Sequence, residues 1–166
     1  WMICYGIESG NDRVLQMNEK GKGATVEQAR IAVEEAKRAG LQVWGYFMLG
    51  MYGETTESMG DTLRLAKSLP LDIVNFAIAA PYPGTKWGEI ASKEGWISDV
   101  QWSAFDQNNS AIVDQPGCSA DDVKRFQSRA YREWYGSWRG LKFLANGLRP
   151  SNAGYFVRTA LEHIGA

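Results

Sequence analysis

Residues 41–54 read LQVWGYFMLGMYGE, and the fold turns on this stretch. The run 42–49 is apolar and aromatic, bounded by glycine, and short enough for a strand rather than a helix. Gly50, Gly53 and Glu54 close it. ETTESMGDTLRLAKSLP (54–70) follows, with Met59, Leu63 and Ala66 on one helical face and Pro70 past the end. LDIVNFAIAAP (71–81) then gives a third strand, about 72–79. Upstream, MICYGI (2–7) reads as a buried strand. ATVEQARIAVEEAKRAG (24–40) reads as a helix, with Val26, Ala29, Val33 and Ala36 on one face, Thr25 and Gln28 at capping-box spacing and Gly40 as its stop. Strand–helix–strand–helix–strand implies parallel pairing with right-handed crossovers. Strands this continuously apolar predict cover on both faces.

Past Gly95 the pattern changes. A mixed, turn-rich segment leads to a helix starting at Ser119, with Asp122 in the capping-box position. Val123, Phe126, Ala130, Trp134, Trp138 and Leu141 follow at helical spacing, and residues 149–166 predict a last helix. The division is a sheet-and-helix unit over 1–95 and a turn-rich helical extension over 96–166. Three parallel strands leave an edge and a face bare, and the first strand starts at the chain terminus. The expectation is a piece cut from a larger sheet, a complete small α/β domain being the alternative.

Composition narrows the function classes. The 166 residues are 45% hydrophobic and 22% charged, with net charge −1, which makes no electrostatic case for nucleic acid or a membrane surface. No apolar run approaches the roughly 20 residues of a membrane span. Two cysteines, Cys4 and Cys118, give neither a disulfide framework nor a close-spaced metal motif, and fit a reducing cytoplasm.

Ligands of α/β folds gather beyond the carboxyl ends of the strands. The first end is GIESGND (6–12): the Glu8 carboxylate suits a ribose diol, while Ser9, Asn11 or Asp12 can cap the next helix. The second is the glycine-flanked GYFMLGMYGET (45–55), where a flat ligand could lie on the backbone or the chain could make an ordinary tight turn, with Glu54 a favourable charge near a helix N-terminus. The third is NFAIAAPYPGTKW (75–87), where Asn75 is a polar residue in an apolar strand, served by a core hydrogen bond or a ligand. Pro81, Pro83 and Gly84 form a rigid turn, and Tyr82 and Thr85 are substrate-side groups or plain turn residues.

Taken together, GIESGNDRVLQMNEKG, AGLQVWGYFMLGMYGET and NFAIAAPYPGT resemble the second half of the barrel of radical S-adenosylmethionine enzymes, most closely the branch whose members often carry a cobalamin-binding domain. The resemblance covers about residues 2–87. It implies a partial (β/α) barrel fragment, α/β with about three parallel strands, plus a C-terminal helical extension. It implies S-adenosylmethionine and a 4Fe-4S cluster in the parent family, with cobalamin in some members. Cofactor-side positions would be Glu8, Ser9, Gly45, Phe47, Met48, Gly50 and Ala77; substrate-side positions would be Asn75, Pro81, Tyr82 and Thr85. The implied partners are an N-terminal half-barrel, a cobalamin-binding domain and a small-molecule or macromolecular substrate.

The departure from that pattern is in the cysteines. The family's CxxxCxxC loop supplies three thiolates, and two distant cysteines with His163 cannot reproduce it. The expected function is therefore adenosyl- and substrate-side binding surface without the cluster loop, the chain alone being inactive. The alternative is a cluster-less barrel remnant serving as a binding or partner module. An unrelated nucleotide binder is disfavoured because no GxGxxG or GxxxxGK[ST] occurs. Cys4 reads as a small buried hydrophobe, Cys118 as a bystander and His163 as a surface helix residue. Arg125, Arg129, Arg132, Arg139 and Lys142 interleave with aromatics, a pattern better suited to a helix packing on the sheet than to nucleic acid.

Overall fold

In a computed structural model of the chain, describing residues 1–18, 24–97, 105–108 and 110–147, one parallel sheet carries the fold. Its strands are β1 (Met2–Glu8), β2 (Gln42–Leu49) and β3 (Ile73–Ile78), in the order β1-β2-β3. The helices are α1 (Asp12–Met17) and α2 (Val26–Arg38) after β1, α3 (Thr56–Ser68) after β2, then α4 (Lys86–Lys93), α5 (Ala120–Tyr135) and α6 (Trp138–Gly147). The chain is an α/β fold whose sheet matches an arc of a β/α barrel: consecutive parallel strands with no reversal of order, unlike a doubly wound sheet.

Local chemistry starts each helix. Full capping boxes join Thr25 to Gln28, Thr55 to Ser58 and Ser119 to Asp122, each satisfying two otherwise orphaned backbone donors. Asn11 caps α1 and Thr85 caps α4. Gly40 ends α2 at φ +77°, a left-handed conformation that glycine reaches without a Cβ penalty.

The two faces of the sheet differ. Strand side chains alternate, so Val43, Phe47 and Leu49 of β2 and Val74, Phe76 and Ile78 of β3 point one way. They are buried with Val33 and Ala36 of α2 and Met59, Leu63 and Ala66 of α3 in one core. The opposite face carries Trp44, Tyr46, Met48, Ile73, Asn75 and Ala77, all only partly buried, and Cys4, which is exposed. The Trp44 and Tyr46 rings stack there at 5.0 Å. This corrects two expectations. The apolar strands are not covered on both faces among the described residues, because α2 and α3 pack on the same face. For the same reason Cys4, paired in register with Trp44, is exposed rather than a buried hydrophobe.

α5 closes the β3 edge and shares the sheet's core through Val123, Phe126, Ala130 and Trp134. Tyr135 Oη donates to the Val74 carbonyl at 3.0 Å, Gln127 Nε2 to the Phe76 carbonyl at 2.7 Å, and Tyr131 Oη accepts from the Phe76 N–H at 3.0 Å. Backbone groups that could recruit a further strand are thereby occupied. The basic residues of α5 are spread over its surface, with Arg129 and Arg125 paired to Glu133 and Asp122. α4 was not anticipated; the turn read around Pro83 and Gly84 leads straight into it. The predicted final helix and His163 lie outside the described residues. No helix among the described residues is long and apolar enough to cross a membrane.

Candidate functional site

Parallel pairing brings the ends of β1, β2 and β3 to one end of the sheet. At the first, the register shifts between Gly6 and Glu8, and Glu8 takes φ +67°. It is the one non-glycine residue with positive φ among those described, a conformation that costs about 1–3 kcal/mol. The chain beyond it is clamped to α3. Ser9, fully buried, lies 3.3 Å from the Thr62 hydroxyl and accepts from the Asn11 N–H. Gly10 donates to Thr62 Oγ1 at 2.9 Å, and a Cβ on Gly10 would stand 2.5 Å from the Asp61 carbonyl oxygen. Asn11 Oδ1 caps α1 while its Nδ2 donates to Asp61 at 2.7 Å. Ser9 is thus occupied structurally, and Glu8 is the partly buried carboxylate beside it.

The turn after β2 is held from behind. Gly50 and Gly53 take φ +78° and +73°. Glu54 is fully buried, and its Oε2 accepts from the Gly50 N–H at 2.6 Å and the Met51 N–H at 3.1 Å, while Oε1 has no partner among the described residues. Burial pushes its carboxyl up to about 8, against the opposing pull of those two hydrogen bonds. Gln115 accepts from the Gly53 N–H at 2.9 Å and donates to the Met51 carbonyl at 2.8 Å. Asn18 accepts from the Tyr52 N–H at 3.2 Å and donates to the Tyr52 carbonyl at 3.0 Å. Cys118 Sγ donates to the Glu54 carbonyl at 3.5 Å, and burial raises its thiol to about 11, leaving little thiolate at neutral pH.

At the third end, Pro81 is buried, Tyr82 stacks on Phe105 at 5.6 Å, and Thr85 accepts from the Gly88 N–H at 3.0 Å while donating to the Tyr82 carbonyl. The Thr85 hydroxyl is therefore committed to capping α4. Asn75 Oδ1 lies 3.4 Å from the Tyr131 hydroxyl, so the polar residue in the strand has a protein partner.

Of the residues singled out from sequence, Met48, Asn75 and Ala77 share the open face. Met48 packs toward the carboxyl end with Val14, Met51 and Ala79. Gly45 and Phe47 lie on the other face, since the pleat alternates every residue. Phe47 is fully buried with its ring 5.5 Å from Phe76, and a Cβ on Gly45 would meet Leu71 at 2.8 Å. Tyr46, between them, lies on the open face. Glu54 and Gln115 were not singled out as anchors. Glu54 carried a local signal, a carboxylate directly after two spaced glycines; Gln115 carried none.

Among the described residues no three His, Cys, Asp or Glu side chains gather as metal ligands. Cys4 is exposed on β1 and Cys118 is buried behind the β2 turn, so the donor set does not fit an iron–sulfur cluster.

No protein-family model matches the chain. It is similar to an uncharacterized methyltransferase of Pyrococcus horikoshii, 32% identical over 133 residues, covering 80% of this chain and 28% of the relative. It is similar to the bacteriochlorophyllide d C-8(2)-methyltransferase of Chlorobaculum tepidum, 26% identical over 103 residues, 62% of this chain and 23% of the relative. The tRNA-2-methylthio-N(6)-dimethylallyladenosine synthase of Hydrogenovibrio crunogenus is 37% identical over 79 residues, 48% of this chain and 17% of the relative. The chain spans between 17% and 28% of the length of these curated relatives.

Proposed function

We propose that the chain is a barrel segment of a radical S-adenosylmethionine enzyme of the methyl- or methylthio-transferring kind, forming part of the wall that meets the adenosyl group. The observation that carries this is Glu8: a carboxylate kept in a left-handed backbone at the carboxyl end of a parallel strand, where glycine would be unstrained. The three sequence motifs, the methyltransferase and methylthio-synthase relatives and the barrel-like strand order support the same reading.

In this reading Glu8 accepts hydrogen bonds from the two ribose hydroxyls, each worth about 1.5–3 kcal/mol to a charged acceptor. Tyr46, Met48 and Ala77 offer the partly apolar surface against which an adenine can lie, and the pinned Gly50–Gly53 turn holds that surface's rim in place. The cluster ligands belong to other polypeptide segments, because this chain's cysteines do not fit them. An N-terminal half-barrel would cover the open face. A cobalamin-binding domain, where one is used, would likewise be supplied from outside these residues.

A second reading, a cluster-less remnant serving as a binding module, is favoured by the cysteine set alone. S-adenosylhomocysteine titrated calorimetrically into the chain tests the first: saturable binding supports it, and its absence at millimolar ligand removes the adenosyl role. Anaerobic iron–sulfur reconstitution is expected to leave the chain colourless; a stoichiometric 4Fe-4S spectrum would overturn the assignment of the cluster to other segments.

A further inference from the structure

Between α3 and α5, on the side turned away from the sheet, the surface forms a groove of about 480 Å³, within the roughly 300–1,000 Å³ of ligand clefts. Buried Leu63 lies at its base. Gly60, Arg64 and Lys67 form the α3 wall, and Arg129 and Glu133 the α5 wall. From Gly60 to Lys67 the wall runs about 10 Å, two helical turns.

The walls are held from beneath. Both helices enter one core through Met59, Leu63, Phe126, Ala130 and Trp134, and Trp134 Nε1 donates to the Ala66 carbonyl at 3.3 Å. Arg139 Nη1 donates to the Lys67 and Leu69 carbonyls at 3.1 and 2.6 Å, which fixes the end of α3.

Charges on a solvated helix surface pair one to one and need no further account, as Arg38 does with Glu35 on α2 and Arg125 with Asp122 on α5. The groove does not pair in that way. Glu133 is shared between two cations, its Oε1 accepting from Arg129 Nε at 2.7 Å and its Oε2 from Lys67 Nζ at 3.0 Å. Arg64 donates to Asp61 through Nη2. Three cations thus meet two carboxylates, and Arg129 Nη1 and Nη2 and Arg64 Nη1 have no acceptor among the described residues. Both guanidinium groups are placed. That of Arg129 lies 5.6 Å from the centroid of the Phe126 ring, and Arg64 Nη1 lies over Gly60, where a Cβ would stand 3.5 Å from it. Their side chains are 58% and 71% exposed, so the unoccupied edges are open to a partner. Such edges match carboxylates, which accept from arginine in a two-bond fork.

We propose that this groove docks an acidic helical segment of a protein partner, whose Glu or Asp carboxylates bind Arg64 and Arg129 from the two walls. The surplus in the groove is a single positive charge and the chain as a whole carries −1. A short run of carboxylates fits that balance better than the dense phosphate charge of a nucleic acid. The groove lies on the helix layer, apart from the open sheet face, and does not rest on the adenosyl reading.

The test titrates the chain, at low salt, into a fluorescein-labelled peptide of repeated Glu-Glu-Ala-Ala units and follows fluorescence anisotropy. A Gln-Gln-Ala-Ala peptide and an oligothymidylate with the same label run beside it. The Glu peptide is expected to saturate, and the Gln peptide and the oligothymidylate to bind more weakly. Arg64→Gln and Arg129→Gln are each expected to weaken the Glu peptide about two- to fivefold, the factor one exposed ion pair supplies. Arg38→Gln, the same change of charge on α2, is expected to leave it unchanged. Glu133→Gln frees Arg129 and Lys67 from their internal carboxylate and is expected to tighten it. No saturation by the Glu peptide, equal affinity for the Gln peptide, or an equal loss in Arg38→Gln would overturn the proposal. Tighter binding of the oligothymidylate would overturn the assignment to an acidic protein segment. The wild-type comparison of the three probes stands even if a variant fails to fold.

Discussion

The turns after β1 and β2 meet the same backbone demand differently. After β2 the left-handed positions are filled by Gly50 and Gly53, and every exposed end of the turn is tied back by Glu54, Gln115 and Asn18. After β1 the left-handed position is filled by Glu8, although glycine would avoid the strain. A turn that only needs shape uses glycine. Under the proposed function, the strain is kept because the carboxylate meets the adenosyl group; the neighbouring Ser9, Gly10 and Asn11 are fixed to α3.

The comparison can be broken most forcefully at Glu54. Glu54→Ala would leave the Gly50 and Met51 N–H groups without their acceptor and open a cavity, so urea unfolding should show a loss of about 3–5 kcal/mol. The same residue predicts a pH dependence. Its folded-state pKa near 8 stands above an ordinary value of 4.5, so the folded chain holds this proton more tightly than the unfolded chain. Its stabilising effect is complete below the ordinary value and is lost as pH rises through about 8. Stability measured from pH 5 to pH 9 should therefore fall by several kcal/mol, an order-of-magnitude figure from the size of the shift, and Glu54→Gln should flatten that slope. An unchanged slope in Glu54→Gln would place the titration elsewhere.

At Gly53 the effect should be smaller. Gly53→Ala forces a Cβ into a left-handed backbone while the flexible Met17 side chain can give way, and should cost about 1–2 kcal/mol by thermal or urea unfolding. A loss below about 0.5 kcal/mol would mean that the turn leaves its left-handed conformation and is less rigid than its hydrogen bonds indicate.

The sequence made much of this legible. The capping boxes at Thr25 and Ser119 were readable because they are local, three residues from donor to acceptor. The strand-and-helix alternation was readable from period alone. What stayed hidden depends on distance along the chain. The Glu54 backbone and the turn before it are bonded by Cys118 and Gln115, some sixty residues on, so the local view saw only an acid near a helix start. The apolar runs pointed to cover on both faces and the three-strand count to a bare face; among the described residues the face is bare, because an apolar run does not say whether helices or the remainder of a barrel covers it. Gly45 and Phe47 lie on the helix-covered face and Tyr46 on the open one, as strand alternation requires. Ser9 was read as a cap or a ligand contact, and its burial against Thr62 is a tertiary fact.

Glu8 gives the smallest change in stability and the most direct test of the adenosyl wall. In Glu8→Gly, relief of the left-handed strain and the greater freedom of glycine in the unfolded chain nearly cancel, so the melting temperature should hold within the shift of about 1 kcal/mol. Calorimetric titration of that variant with S-adenosylhomocysteine should show affinity at least about tenfold below the wild-type chain, the loss of one charged hydrogen bond. Equal affinity in a variant that folds as well as the parent would contradict the role given to Glu8.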